Sequence, residues 1–298
     1  MKTQLTIGTR GSELALRQTE IVRRSLLTAY PDLEVKVQII KTEGDLNLAP
    51  IPVDTIGKGW FTKEIEDALL AHEIDIAVHS LKDVADGAPG LCLDAFLERE
   101  DARDVLVTKH GESFELLKKG AVIGTDSIRR QVQIQALRPD AVVESIRGNV
   151  PTRLQKLMDE TYDAIILAAA GLIRLGREDS IAHYFTIEEI TPAPGQGILA
   201  VQVREDNTEV RTLLQKINDA QVAHIAHIER SFSHAVDGGC KSPVGCYASK
   251  DGEECVLVGM MEEMTGEIIR EEIRAPWNES AALGENLAQK LLALQKYE

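Results

Sequence analysis

The chain has 298 residues, with 33 Lys plus Arg against 48 Asp plus Glu, a formal net charge of −15. This length predicts two or three domains of roughly 100–200 residues each, and 44% hydrophobic residues supply a substantial core. The acidic balance argues against a nucleic-acid or membrane-surface partner, because both would repel the average surface. No run approaches the ~20 apolar residues of a membrane helix, and the opening MKTQLTIGTRGSELAL lacks a secretory pattern. Four cysteines (Cys92, Cys240, Cys246, Cys255) in so long a chain make no disulfide framework. A cytoplasmic protein with free thiols is expected, monomeric by default.

In chain order, QLTIGT reads as a strand and Glu13 to Tyr30 as an amphipathic helix carrying Leu14, Ile21 and Leu26. VKVQII is a strand, FTKEIEDALLA (Phe61 to Ala71) a helix and DIAVHS a strand. Then come AVIGT (strand), SIRRQVQIQAL (helix), AVVESIR (strand), PTRLQKLMDE (helix) and YDAIILAAA (strand). Such alternation predicts α/β layers with largely parallel sheets. KEIEDALLAHEIDIAVHS and TRLQKLMDETYDAIILAAA share one order of helix, acidic residue, Asp and apolar strand, which points to two similar α/β domains facing a cleft. TPAPGQGILAVQV reads as a Pro/Gly hinge feeding another strand. After about Ile217 the texture changes to a helix (Ala220 to Ala235), a Gly-Gly-Cys loop, the strands CVLVGMM and EIIREEIRA, and a helix from Glu279 to Gln295. A small α+β domain is expected there.

Basic residues recur where a strand hands over to a helix. TIGTRGS places Arg10 and Ser12, VIGTDSIRR places Thr125, Ser127, Arg129 and Arg130, and SIRGNVPTR places Arg147 and Arg153, with Pro151 suited to a first turn. Ligands of open α/β sheets sit beyond the carboxyl ends of the strands, helix N-termini favour anions, and arginine forks grip carboxylates. One such arginine is ordinarily a solvated residue; three junctions alike in an acidic chain predict a ligand with several negative charges. No GxxxxGK[ST] or strand-to-helix GxGxxG is present, so nucleotides are disfavoured.

DIAVHSLKD sets His79, Ser80, Lys82 and Asp83 past a buried strand. Locally this is an ordinary loop, or else a carboxylate placed to trade protons and stabilise positive charge. Cys240 in DGGCK is either a small hydrophobe or a thiolate favoured by Lys241. His224, His227, His234, Cys240 and Cys246 match no zinc spacing and contain no CxxC, so no metal is expected. Cys92, Cys246 and Cys255 are read as residues without chemistry, and Gln196 as structural. The rival readings are an anion-binding module of two α/β lobes and a zinc enzyme using the His/Cys cluster.

HSLKD, KGWFTKE, IGTDSIRRQ, SIRGNVPTRLQKL, YDAIILAAAGLIRLG, PAPGQG and DGGCKSPVG follow one another as in the porphobilinogen deaminases (hydroxymethylbilane synthases), which the chain resembles over nearly its full length. The resemblance implies two domains like type II periplasmic binding proteins, residues 1–97 with 197–216 and residues 98–196, and a smaller α+β domain, 217–298. It implies a transferase that joins four porphobilinogen molecules with loss of ammonia. Cys240 matches the cysteine that holds a dipyrromethane cofactor as a thioether, and Asp83 matches the catalytic carboxylate. Arg10, Ser12, Lys82, Thr125, Ser127, Arg129, Arg130, Arg147, Arg153 and Arg174 match positions that bind cofactor and substrate. Lys58 matches a mobile loop over the site, and Phe61 is placed to pack on the pyrroles. The sequence departs from the family at Ile56, which precedes the single Gly57, at Asp54, where an earlier lysine is common, and at Glu43.

Overall fold

A computed structural model describes residues 2–42, 62–85, 88–159, 162–237, 243–263 and 265–295. Strand β1 (Gln4–Thr9) leads into α1 (Glu13–Ala29) through Ser12, whose hydroxyl accepts from the Ala15 N–H at 3.3 Å and so partners one of the orphan first-turn donors. β2 (Glu34–Ile39), α2 (Lys63–Leu70), β3 (Ile76–Ser80) and β4 (Leu91–Phe96) follow. Next are β5 (Asp104–Thr108), β6 (Val122–Gly124), α3 (Ile128–Leu137), β7 (Val142–Glu144) and α4 (Val150–Asp159). Then come β8 (Ala164–Ala168), α5 (Ala169–Arg174), β9 (His183–Tyr184), β10 (Leu199–Arg204) and α6 (Thr208–Leu214). The last part holds α7 (Ala220–Asp237), β11 (Val244–Asp251), β12 (Glu254–Glu262), β13 (Ile268–Pro276) and α8 (Leu283–Leu294). No described helix is long and apolar enough to cross a membrane.

The chain divides into two compact units, Met1–Glu100 with Ile198–Ala223, and Asp101–Gly197 with His224–Glu298. The first holds a sheet of order β2-β1-β3-β10-β4. β1 is parallel to β2 and β3, while β10 is antiparallel to both β3 and β4. The second holds a sheet of order β7-β6-β8-β5-β9, in which β6 is parallel to β7 and β8 and β5 is the reversed strand. Both sheets are thus mixed rather than simply parallel, each with its reversed strand fourth. The echo seen in the sequence is α2–β3 and α4–β8, which occupy matching places in the two sheets.

Strand alternation sorts the cores onto opposite faces. In the first unit, Ile76 and Val78 of β3 join Leu5, Ile7, Val22 and Leu26, whereas Ala77 joins Ile65, Ala68 and Leu69 of α2. In the second unit, Leu106 and Ile166 pack with Ile134 of α3, while Val105 and Ile165 pack with Leu157 of α4 and Leu172 of α5. Sheet β11-β12-β13 is antiparallel, and Leu287 of α8 and Phe232 of α7 close over Gly259 at its centre.

Two expectations change. YDAIILAAA ends as a strand at Ala168, because a run of alanines without β-branched residues continues as helix. The PAPGQG segment is not a free hinge. Glu229 of α7, fully buried, accepts from the Gly195 N–H at 2.6 Å and from the Ala248 N–H at 2.7 Å. The Cys246 N–H donates to the Pro192 carbonyl at 2.9 Å. A Cβ on Gly245 would lie 2.7 Å from the Thr191 carbonyl oxygen, so only glycine admits this approach. The segment is therefore clamped against α7 and β11.

Candidate active site

In the first unit the candidate residues sit past the carboxyl ends of β1 and β3. The register Ile7↔Ile76 and Gly8↔Ala77, carried forward, sets Arg10 level with His79. Arg10 is half-buried, Ser12 is the cap of α1, and Leu81–Asp83 forms a single 3₁₀ turn. Leu81 is buried and its N–H donates to the Ile198 carbonyl at 2.9 Å. Lys82 and Asp83 point outward and are exposed. His79 is buried; its Nε2–H donates to Gln202 Oε1 at 3.0 Å, and Gln202 Nε2 donates to Glu66 Oε1 at 3.1 Å. Burial, reinforced by the nearby Arg10 charge and only partly opposed by the Gln202 bond, pushes the imidazole down to about 4, so His79 is neutral. The Gln18 side-chain amide of α1 donates to Ser80 Oγ at 2.9 Å.

In the second unit the candidates lie past β6, β7 and β8. Thr125 is fully buried and its Oγ1 accepts from the Ser127 N–H at 3.2 Å. Arg129 and Arg130 do not present open forks. Both turn inward onto Asp104, the fully buried first residue of β5, which pairs with the end of β8 at Ala168. Arg129 Nη2 lies 2.7 Å from Asp104 Oδ2, and its Nη1 donates to the Thr191 carbonyl at 2.6 Å. Arg130 donates to Asp104 Oδ1 from Nη2 at 2.7 Å and Nε at 3.1 Å, and to the Ile166 carbonyl from Nη1 at 3.1 Å. Gln196 Nε2 donates to the same Oδ1 at 2.9 Å. Burial alone pushes Asp104 up, but the two guanidiniums and the hydrogen bonds from Arg130 and Gln196 outweigh it and hold the carboxyl well below its usual range. Two cations on one anion leave this buried group with a net positive charge.

Arg147 is half-buried, with its Nε 3.6 Å from Asp126, which also accepts from the Ser145 hydroxyl. Arg153 Nε donates to the Gly148 carbonyl at 2.7 Å. Gly148 has φ +117°, and a Cβ there would lie 2.8 Å from Thr152 Cβ, so the turn requires glycine. Asn149 Oδ1 caps α4 by accepting from the Thr152 N–H at 3.0 Å. Arg174, at the end of α5, donates from Nη2 to the Gly197 carbonyl at 2.6 Å. Lys58, Phe61 and Cys240 lie outside the described residues, as do Glu43, Asp54 and Ile56.

The remaining thiols and histidines have other surroundings. Cys246 and Cys255 are buried and Cys92 half-buried, and burial pushes the Cys92 and Cys255 thiols up, away from reactive thiolate. His224 Nε2 meets Ser280 Oγ at 2.7 Å, and its ring lies 4.6 Å from that of Trp277. Burial lowers His227, helped by Arg230 and His224. Asp104, Gln18, Gln202 and Glu229 escaped the sequence reading. Glu229 left one signal, falling on the apolar helical stripe Ile225, Phe232, Val236 at spacings of four, three and four; Asp104 opens the apolar run DVLVT.

A family model described as "Porphobilinogen deaminase, dipyromethane cofactor binding domain" matches residues 5–212, and its C-terminal-domain counterpart matches 223–293. The chain belongs to the porphobilinogen deaminase family. Among curated porphobilinogen deaminases, that of Lachnospira eligens is 45% identical over 291 residues, covering 96% of this chain and 98% of its own. That of Roseiflexus castenholzii is 43% identical over 294 residues, covering 98% and 97%. Solved structures similar to this deaminase-family chain include the methionine-binding protein MetQ, at 12% identity and TM-score 0.48, covering 76% of this chain and 95% of that one. A Salmonella typhimurium periplasmic binding protein with high arginine specificity has TM-score 0.42 at 12% identity, covering 74% and 96%. The described residues form two mixed five-stranded sheets, each with its fourth strand reversed, and a small antiparallel three-stranded sheet.

Proposed function

We propose that Asp83 is the catalytic acid of this porphobilinogen deaminase family member. The enzyme is a transferase that condenses porphobilinogen head to tail, with loss of ammonia, into hydroxymethylbilane on a dipyrromethane cofactor. The observation that carries the assignment is the turn Leu81–Asp83: it sets an exposed carboxyl group at the end of a buried strand, on a pinned backbone, at the carboxyl end of the sheet that also bears Arg10.

The chemistry of the donor set fits a tethered polyanion. Arg10, Ser12 and Lys82 on the first unit, and Ser127, Arg147, Arg153 and Arg174 on the second, would hold the acetate and propionate groups of cofactor and substrate, while the fully buried Thr125 would act only by holding the Ser127 backbone. Arg129 and Arg130, engaged by Asp104, would act on the same anions through the net positive charge of their buried group. When bound, the dipyrromethane supplies the nucleophilic carbon from which the chain grows. Asp83 gives a proton to the departing amine of porphobilinogen as its C–N bond breaks, then faces the resulting cation as a carboxylate. Its exposed oxygens also accept hydrogen bonds from pyrrole N–H groups.

Cys240 is the proposed thioether anchor, in a third domain of residues 217–298 beside domains 1–97 with 197–216 and 98–196. Lys58 and Phe61 are assigned to the loop over the pyrroles. A cytoplasmic monomer without nucleic-acid or membrane partner completes the reading; the net charge of −15 supports the absence of those two partners. Acid–base assistance is typically worth ~10²–10⁴-fold, and electrostatic stabilisation adds a comparable factor. Asp83→Asn is therefore expected to lose several orders of magnitude in turnover with an unchanged unfolding transition. Near-normal consumption of porphobilinogen by the folded variant removes Asp83 from the mechanism.

A further inference from the structure

Asp83 is exposed, so burial of its own side chain does not aim it. Its direction follows from the backbone of Ser80–Val84, and that backbone is held on both faces of the sheet. Two main-chain bonds fix the turn, Leu81 N–H to the Ile198 carbonyl at 2.9 Å and Val84 N–H to the Leu81 carbonyl at 3.1 Å. Alternation along β3 then sends neighbouring side chains to opposite helices. Ser80, on the face of Val78, takes a hydrogen bond from Gln18 of α1. His79, on the face of Ala77, begins the series that passes through Gln202 of β10 to Glu66 of α2.

Donor and acceptor rules order that series. Gln202 turns its amide nitrogen to Glu66 Oε1, an acceptor oxygen, and so its own oxygen to His79. His79 must then carry its proton on Nε2, and the ring has one orientation and one tautomer. An apolar side chain would fill the same space without desolvation cost. Buried polar groups satisfied in series select one arrangement instead of several. The ring stands level with Arg10, whose charge opposes a second proton on it.

We infer that His79, Gln202 and Glu66 on one face, and Gln18 on the other, are positioning residues that hold the Lys82–Asp83 turn at its working geometry. The inference rests on Asp83 being the catalytic acid. His79, Gln202 and Gln18 are buried, so their roles are exerted through β3 and the turn.

The test uses cofactor-loaded enzyme, with loading checked by intact mass, assayed well below the unfolding temperature. Misplacing a reacting group by about 1 Å costs on the order of 10²-fold. His79→Leu and Gln202→Leu are expected to lose roughly 10- to 100-fold in kcat with little change in KM for porphobilinogen. His79→Gln keeps an N–H for Gln202 Oε1 and is expected to recover most of that loss. A general loss of packing predicts lower thermal stability without this kcat-only effect or its rescue. If His79→Leu fails to fold, Gln18→Ala frees Ser80 without disturbing the imidazole and carries the same expectation. Folded, loaded leucine variants with near-wild-type kcat, or a His79→Gln variant as impaired as His79→Leu, overturn the inference. Should Asp83→Asn be inactive while those leucine variants are normal, only the positioning roles fall. Normal activity in Asp83→Asn removes the catalytic assignment and these roles together.

Discussion

In the first sheet, Ile76–Ser80 runs out into Lys82 and Asp83, both exposed; in the second, the strand at the same place, Ala164–Ala168, runs directly into a helix whose first residues, Ala169 and Ala170, are buried. The junctions after the central strands differ as well. Arg10 after Gln4–Thr9 is half-buried, whereas Arg129 and Arg130 after Val122–Gly124 are drawn inward onto Asp104. Strand order is shared, so topology does not decide which junction carries ionisable groups outward. The difference on view is the buried Asp104 of the second unit, onto which both of its junction arginines turn, whereas the turn after β3 in the first unit leaves Lys82 and Asp83 exposed.

The comparison breaks most visibly at Asp104. Asp104→Asn leaves two buried guanidiniums without their anion and is expected to cost about 3–5 kcal/mol in denaturant unfolding. A variant as stable as the wild type means that Arg129 and Arg130 do not depend on Asp104, and the contrast between junctions fails. The first sheet offers a pH test. His79 has its folded pKa lowered from 6.5 to about 4 by burial, so the unfolded chain takes up this proton first. Its contribution is complete above pH 6.5, declines as pH falls from there to about 4, and amounts to on the order of 3 kcal/mol. The Asp104 contribution is lost only in stronger acid, because its folded pKa is depressed below 3.8. Stability curves for wild type and His79→Gln should separate between pH 6.5 and 4; coincident curves contradict a buried neutral imidazole. A smaller effect is expected at the clamp outside both sheets. Glu229→Gln turns an amide N–H toward a backbone N–H and should lose roughly 1–3 kcal/mol, read as a lower midpoint with unchanged slope.

Local periodicity made much of the fold legible. QLTIGT, DIAVHS and SIRRQVQIQAL became β1, β3 and α3 within about one residue, since one apolar face recurs along each. Short buried strands such as Leu91–Phe96 and Asp104–Thr108 lacked an alternating signal and were not read. Proline and glycine in PAPGQG marked an irregular backbone correctly, but its clamp is Glu229, 34 residues from Gly195. Candidate site residues were found by type and junction, while their partners were not. Asp104 engages Arg130 across 26 residues and Gln196 across 92, and Gln202 meets His79 across 123. Contacts of that range are set by tertiary packing, which no local window encodes.

The proposed chemistry requires a pyrrole primer bonded to Cys240. Intact mass under denaturing conditions, for wild type and Cys240→Ser prepared alike, reads that bond directly. The expected result is a wild-type increment equal to two linked pyrrole units that survives unfolding, with no thioether-borne increment in Cys240→Ser. Active wild-type enzyme at the bare chain mass, or the same increment in Cys240→Ser, contradicts it.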